Sequence, residues 1–254
     1  MPAENAILKD YLLHLADNSM ILGQRNAEWC GHGPVLEQDI ALTNIALDLI
    51  GEARSLYQYA AELSGDGQTE DSVAFLRDVL AYKNLLLVEQ PNTDWAYTIC
   101  RQFFYDAFHY YVLESLAEEA KDGRLADIAR KSMKEAAYHL KWSSEWMIRL
   151  GDGTAVSHEK MQNAVNGLWE FTGELFMPSE TEAEAFKAGI GADLKMIATI
   201  WQNKVNDVLH EATLKKPESA YMQKGGKNGH HSEHLGYILA EMQYLQRAYP
   251  GAEW

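Results

Sequence analysis

The segment VLEQDIALTNIALDLIGEARSLYQYAAEL, residues 35–63, indicates which kind of fold to expect. It contains no proline or β-like alternation, and its apolar side chains recur at spacings of three and four residues, which predicts an amphipathic α-helix. A helix of this length spans roughly 40 Å at ~1.5 Å per residue, the length of a bundle helix. We expect its inward stripe to consist of Leu36, Ile40, Thr43, Leu47, Ile50, Arg54 and Tyr57.

The same periodicity continues on both sides of this helix. Long helices are predicted over residues 5–27, 93–121 and 125–150, and glycine or proline follows most of them. A shorter helix is expected near 71–88. Weaker helical patterns cover 157–174, 193–214 and 232–249, the last with Ser232 as its N-cap.

These elements predict an all-α fold in one domain. We expect a ferritin-like four-helix bundle over about residues 5–150, with additional C-terminal helices over about 157–250 packed on it. The 254 residues show no internal repeat, and no linker is polar enough to separate two independent domains.

Composition limits the classes of function. The formal net charge is −15, whereas binding to nucleic acid or an anionic membrane depends on clustered Lys and Arg. Two cysteines, Cys30 and Cys100, are too few for a disulfide framework, and no run approaches the ~18 apolar residues of a membrane span. We therefore expect a cytoplasmic protein that binds neither nucleic acid nor a membrane.

Polar residues interrupt the predicted apolar stripes of the four long helices. These residues are Ser19, Arg54, Asp106 and His139. Burial of such groups costs several kcal/mol unless they find partners, so we expect antiparallel packing to bring them to one level. The expected arrangement is an Arg54–Asp106 ion pair with His139 beside it. On this interpretation Arg54→Ala destabilises the fold by about 3 kcal/mol or more.

An independent di-iron oxidase or oxygenase is the alternative use of such residues. Di-iron centres in helical bundles take four carboxylates and two histidines, usually including two Glu-x-x-His pairs. No Glu in this sequence has a His three residues later, and Arg54 would place a cation beside the metals. Ligands of the right type are nevertheless present: Asp48, Glu52, Asp106, His109, Glu135 and His139.

Three further patterns each allow a structural and a functional interpretation. His230, His231 and His234 beside Glu233 are interpreted as surface residues, with a metal site as the alternative. The aromatic run within residues 103–111 surrounds its helix, which fits either core packing or a subunit interface.

The third pattern is a locally basic stretch over residues 204–227. It is either a solvated loop and helix end or a docking surface for another subunit. Its lysines are Lys204, Lys215, Lys216, Lys224 and Lys227.

Several segments together resemble one protein family, and the match runs from about residue 10 to the last residue. The segments are ILGQR (21–25), EWCGHGP (28–34), DIALTNIALDLIG (39–51), NLLLVEQPN (84–92), KEAAYHL (134–140), EHLG (233–236) and AEMQYLQR (240–247). They resemble the PaaC subunits of bacterial phenylacetyl-CoA 1,2-epoxidases, the multicomponent monooxygenases of phenylacetate degradation.

This resemblance implies a ferritin-like fold and a non-catalytic, structural role. The implied partner is a related di-iron subunit, PaaA, which binds phenylacetyl-CoA and inserts one oxygen atom from O₂ into its ring. On this basis we expect no cofactor in the present chain, di-iron in its partner, and a hetero-oligomer with further epoxidase subunits. A free-standing homodimer is a further alternative.

The resemblance also implies a degenerate metal position. The ligand positions of the related subunit fall on Ser19, Gly51, Arg54, Asp106, Ala136 and His139 of this sequence. Only Asp106 and His139 keep a ligand-type side chain. We expect the Arg54 guanidinium to replace the metal as the cation that neutralises Asp106.

Overall fold

A computed structural model describes residues 3–218 and 221–252, and most of these residues are helical. Within those ranges it contains eleven α-helices and no β-strand, so the all-α prediction is confirmed. In chain order the helices are α1 (Ala3–Glu28), α2 (Leu36–Ser64), α3 (Glu70–Phe75), α4 (Leu86–Glu89), α5 (Trp95–Glu119), α6 (Gly123–Gly151), α7 (Ala155–Leu168), α8 (Glu180–Ala188), α9 (Leu194–Glu211), α10 (Glu233–Met242) and α11 (Tyr244–Ala248).

The chain divides into two compact units, each assembled from separate segments. The first unit contains Met1–Glu89, Ser179–Ala188 and Gly225–Trp254, and the second contains Gln90–Pro178 and Gly189–Lys224. Helices α1, α2, α3, α4, α8, α10 and α11 therefore belong to the first unit, and α5, α6, α7 and α9 belong to the second. The assignment of one domain to the whole chain stays a prediction.

The first unit is built on close packing of α1 against α2. Gly23 of α1 makes this approach possible, because a Cβ there would lie 2.9 Å from Ile50 Cγ1 and 3.3 Å from the Ala46 carbonyl oxygen. Helix α2 ends at Ser64 and is capped by Gly65, which adopts a left-handed conformation with φ of 64°. Helices α8 and α10 also contact α1.

The predicted inward stripe of α2 is wrong for most of its members. Leu36, Ile40 and Leu47 are 71%, 51% and 62% exposed, and only Tyr57 of that stripe is fully buried. Helix α2 has apolar side chains at helical spacing on two faces, so periodicity alone does not select the inward one. The buried face consists of Ala41, Leu42, Ile45, Ala46, Leu49, Glu52, Ala53, Leu56, Tyr57, Ala60 and Ala61.

The second unit is centred on α5, which packs along α6 and contacts α7 and α9. The Phe104 ring meets Trp169 and Trp201 at centroid distances of 5.7 and 5.8 Å, and Trp201 Nε1 donates to the Phe104 carbonyl at 3.0 Å. The residues of the aromatic run from Phe103 to Phe108 are buried. For them the subunit-interface interpretation is wrong, because the chain's own core covers them.

Other predicted helices are interrupted. The segment predicted as one helix over 71–88 contains α3, a 3₁₀ turn at Val79–Ala81 and α4. The last predicted helix is divided at Gln243 into α10 and α11. In the part of the chain that is described, no helix is both long enough and apolar enough to cross a membrane.

Candidate functional site

A buried polar pair joins α1 and α2 in the first unit. Ser19 Oγ donates to Glu52 Oε1 at 2.8 Å, and both side chains are buried. Glu52 therefore occupies the inward position on α2 that Gly51 and Arg54 were expected to occupy. Gly51 is exposed, so the face of α2 that was expected to point inward is the outer one.

Arg54 lies at the surface of the first unit. Its side chain is 67% exposed, and its Nε donates to Glu70 Oε1 at 3.3 Å. The predicted buried ion pair between Arg54 and Asp106 is therefore wrong. The reason is the same as for the stripe: the face of α2 that carries Arg54 is the outer one.

Asp106 of α5 is buried in the second unit among neutral hydrogen-bond donors. Gln102 Nε2 donates to its Oδ1 at 2.7 Å, and Ser143 Oγ of α6 donates to its Oδ2 at 2.7 Å. Burial raises the pKa of Asp106 to about 6, although nearby His139 and the two hydrogen bonds favour the charged form. Ala136 and His139 lie on the buried face of α6.

The buried Asp106 carboxyl gives a pH-dependent prediction. Its pKa rises from an ordinary value of 3.8 to about 6 on folding, so the folded state binds the additional proton between these values. The free energy of unfolding therefore falls as pH rises through this window, by about 3 kcal/mol in total at ~1.36 kcal/mol per pKa unit. Asp106→Asn should remove this cost.

We expect Asp106→Asn to raise the free energy of unfolding at pH 8 by about 3 kcal/mol, and at pH 5 by roughly half as much. Urea titrations of both proteins at the two pH values measure the difference. A variant that is less stable than the parent at pH 8, or a gain that does not depend on pH, would contradict the assignment of an ionised carboxyl that opposes folding.

Among residues 3–218 and 221–252, no group of three or more His, Cys, Asp or Glu side chains is placed to hold a metal ion. Glu52 of the first unit and Asp106 of the second accept hydrogen bonds from hydroxyl and amide donors. The alternative ligand set draws on both units, so a metal centre made from it stays an alternative prediction. Its members are Asp48, Glu52, Asp106, His109, Glu135 and His139.

A buried ionic network that was not predicted from the sequence lies in the first unit. Asp17 accepts from Tyr57 Oη at 2.6 Å, from the Lys83 backbone N–H at 2.8 Å and from both terminal nitrogens of Arg77. The Arg77 guanidinium lies 4.2 Å from the centroid of the Tyr82 ring. This network ties α1 and α2 to the segment that follows α3.

A second network of the first unit is centred on Glu89, which is fully buried. It accepts from Asn84 Nδ2 at 2.9 Å, and from the backbone N–H and Oγ of Ser232 at 2.9 and 2.6 Å. His231 bridges Glu89 Oε1, at 2.5 Å from Nδ1, and the Tyr82 carbonyl, at 2.9 Å from Nε2.

One prediction changes here and one is confirmed. The His231 side chain is buried and is not a surface residue. Ser232 is the N-cap residue of α10, as predicted, but its side chain makes no capping hydrogen bond and its hydroxyl donates to Glu89.

Two buried arginines hold the backbone of the 84–92 motif. In the first unit, Arg25 donates from Nε and Nη2 to the Glu89 carbonyl at 3.0 and 2.8 Å. In the second unit, Arg101 donates to the Gln90 carbonyl at 2.6 Å and to Asn92 Oδ1 at 2.7 Å. Each arginine interrupts a mainly apolar helical segment, and this pattern could have identified both as buried cations from the sequence.

The basic stretch does not behave as one surface. Lys227 is buried and pairs with Glu182 at 2.9 Å, so its assignment to an exposed docking surface is wrong. Lys215, Lys216 and Lys224 are exposed or half-buried, as is Lys204. For these four lysines partner docking stays a prediction.

Comparison with known proteins agrees with the resemblance seen in the motifs. The family described as "Phenylacetic acid catabolic protein" matches residues 1–254. The chain is also 51% identical over 247 residues to a subunit of the 1,2-phenylacetyl-CoA epoxidase of Escherichia coli (strain K12), across 97% of this chain and 99% of that protein. The resemblance to this family and the predicted all-α, ferritin-like fold are confirmed. The chain belongs to the phenylacetic acid catabolic protein family.

Proposed function

We propose that this chain is a structural subunit of a multicomponent phenylacetyl-CoA epoxidase. In this proposal it holds a related catalytic di-iron subunit and takes no part in the chemistry itself. The complex would epoxidise the aromatic ring of phenylacetyl-CoA in aerobic phenylacetate catabolism. The main support for this proposal is the 51% identity to a subunit of such an epoxidase over nearly the full length of both chains.

The polar residues inside the helices support the non-catalytic part of the proposal. Ser19 and Glu52 are bound to each other, and Asp106 is bound to Gln102 and Ser143. An oxygen-activating di-iron centre needs several anionic ligands that converge on two metal ions. Side chains already held by neutral hydrogen-bond donors suit a structural role, so we assign no cofactor to this chain and place the di-iron centre in the partner.

The acidic character of the chain is consistent with this division. A CoA thioester carries phosphates, which a chain of net charge −15 repels unless basic side chains collect locally. Of the basic stretch, Lys227 is buried and Lys216 lies 5.4 Å from the centroid of the Trp169 ring. We therefore place the substrate on the partner, and the cytoplasmic location stays a prediction.

Co-expression with the catalytic subunit of the same epoxidase tests this function. With an affinity tag on the catalytic subunit alone, we expect the present chain to co-purify and to remain bound through size-exclusion chromatography. Turnover of phenylacetyl-CoA with a reductase is expected for the complex and not for the isolated chain. Turnover by the isolated chain, or failure of the two proteins to associate, would contradict the proposal.

A further inference from the structure

Helix α2 carries a second apolar stripe that the chain covers only in part, because its Ile50 end is half-buried beside Gly23 of α1. Leu36, Ile40, Thr43, Leu47 and Ile50 follow one another at spacings of four, three, four and three residues. This is the heptad pattern by which one helix packs along another. Leu36, Ile40 and Leu47 are exposed, whereas the opposite face of α2 is buried against the first unit.

The polar member of the stripe is already satisfied. The Thr43 hydroxyl donates to the Asp39 carbonyl at 2.9 Å and lies 3.1 Å from Cys30 Sγ. A covering surface could therefore bury Thr43 without leaving its hydroxyl unpaired. The stripe is thus suited to a dry helix–helix contact over most of its length.

Gly51 is a second and independent sign of a covering helix. It lies inside α2 and is exposed, and a Cβ added to it would meet no atom within 4 Å. Glycine inside a helix is destabilising relative to alanine, and nothing in the described part of the chain requires its small size. A glycine at this position would allow another helix to approach the α2 backbone closely.

We propose that this outer stripe of α2 is the docking face for a helix of the catalytic subunit, an inference that rests on the proposed function. The matching helix carries apolar residues at heptad spacing with Lys or Arg along its edges. Charge selects this occupant. Outside its buried face, α2 has one basic residue, Arg54, which pairs with Glu70. The acidic residues outside that face are Glu37, Asp39, Asp48 and Glu62. A second copy of the chain would bring the same acidic excess, whereas a basic-edged helix neutralises it.

Two variants of the stripe test the proposal without disturbing the fold. Leu47→Glu places a carboxylate in the seam, and Gly51→Leu adds a side chain where the free chain has open space. The matched control is Leu80→Glu, because Leu80 is also a strongly exposed leucine of the first unit, at 71%. Thermal unfolding of the isolated chains should show all three variants at least about as stable as the parent.

Affinity for the purified catalytic subunit is the deciding measurement. We expect Leu47→Glu and Gly51→Leu each to weaken binding by about 30-fold or more, the scale of an interface hot spot, and Leu80→Glu to leave it unchanged. Parent-like affinity of both stripe variants would overturn the docking face while the proposed function stands. A parent chain that does not bind would overturn both. An isolated chain that self-associates, and becomes monomeric on Leu47→Glu, would identify a second copy as the occupant and also overturn it.

Discussion

Asp17→Ala is expected to destabilise the chain by about 3–5 kcal/mol, the cost of breaking a buried ion pair by removing one partner. Asp17 is fully buried, and its carboxylate accepts from Tyr57, the Lys83 backbone and the Arg77 guanidinium. Without it, the largely buried Arg77 guanidinium loses its counter-ion, although it keeps the Val73 and Ala81 carbonyls as acceptors. The Tyr57 hydroxyl and the Lys83 N–H lose the acceptor that Asp17 supplies. The loss should lower the midpoint of urea unfolding strongly.

The tyrosine contributes as a permanent donor in this network. Burial, reinforced by the adjacent Asp17 carboxylate, raises the pKa of Tyr57 well above its ordinary value, so its hydroxyl stays protonated at neutral pH. Because Asp17 and not Tyr57 carries the negative charge opposite Arg77, we expect Tyr57→Phe to cost less than Asp17→Ala. Equal costs for these two variants would contradict this assignment of charges.

Arg54→Ala is the matched control for this prediction. It removes an ion pair of the same kind in the same unit, but the Arg54 side chain is 67% exposed. Exposed pairs contribute about 0–1 kcal/mol, so the change in unfolding free energy should stay within about 1 kcal/mol. A larger effect of Arg54→Ala than of Asp17→Ala would restore the buried-arginine interpretation that the structure contradicts.

Glu89→Ala should release the segment that precedes α10. The Glu89 carboxylate holds Asn84, His231 and both donors of Ser232, and it links α4 to a segment 142 residues later. Each buried donor left without a partner costs about 1–3 kcal/mol. The total loss in unfolding free energy should reach about 3 kcal/mol or more.

Limited trypsin digestion measures this release locally. Lys227 is buried and paired with Glu182 in the parent, so trypsin should cut poorly after it. In Glu89→Ala we expect early cleavage after Lys227, identified by mass spectrometry, before the helices are degraded. Glu233→Ala, a change at an exposed acid on the first turn of α10, is the control and should retain the parent pattern. Protection of Lys227 in Glu89→Ala would contradict this role.

The helices could be predicted from sequence because periodicity, glycine and proline are local signals. Predictions for 5–27 and 125–150 agree with α1 and α6 to within two residues. The orientation of α2 was wrong because its two apolar faces follow nearly the same spacing, and only the contact with α1 distinguishes them. The expected polar site was therefore also wrong, because Glu52 and not Arg54 is the polar residue on the inward face of α2.

The buried networks could not be predicted because their partners are distant in sequence. Arg77 is 60 residues from Asp17, and His231 is 142 residues from Glu89. A sequence pattern shows that a polar residue interrupts an apolar stripe, but it does not show which distant group satisfies it. Asp106 was recognised as such an interruption, but its partners were not, although Gln102 lies only one helical turn away and Ser143 lies on another helix.

Iron content is the most direct test of the claim that this chain supports a catalytic partner and holds no metal centre itself. The purified chain and its complex with the catalytic subunit are loaded with ferrous iron under anaerobic conditions, desalted and analysed for metal. We expect the isolated chain to retain almost no iron and the complex to retain about two irons per catalytic subunit, as a di-iron centre requires. About two irons per isolated chain would contradict the account.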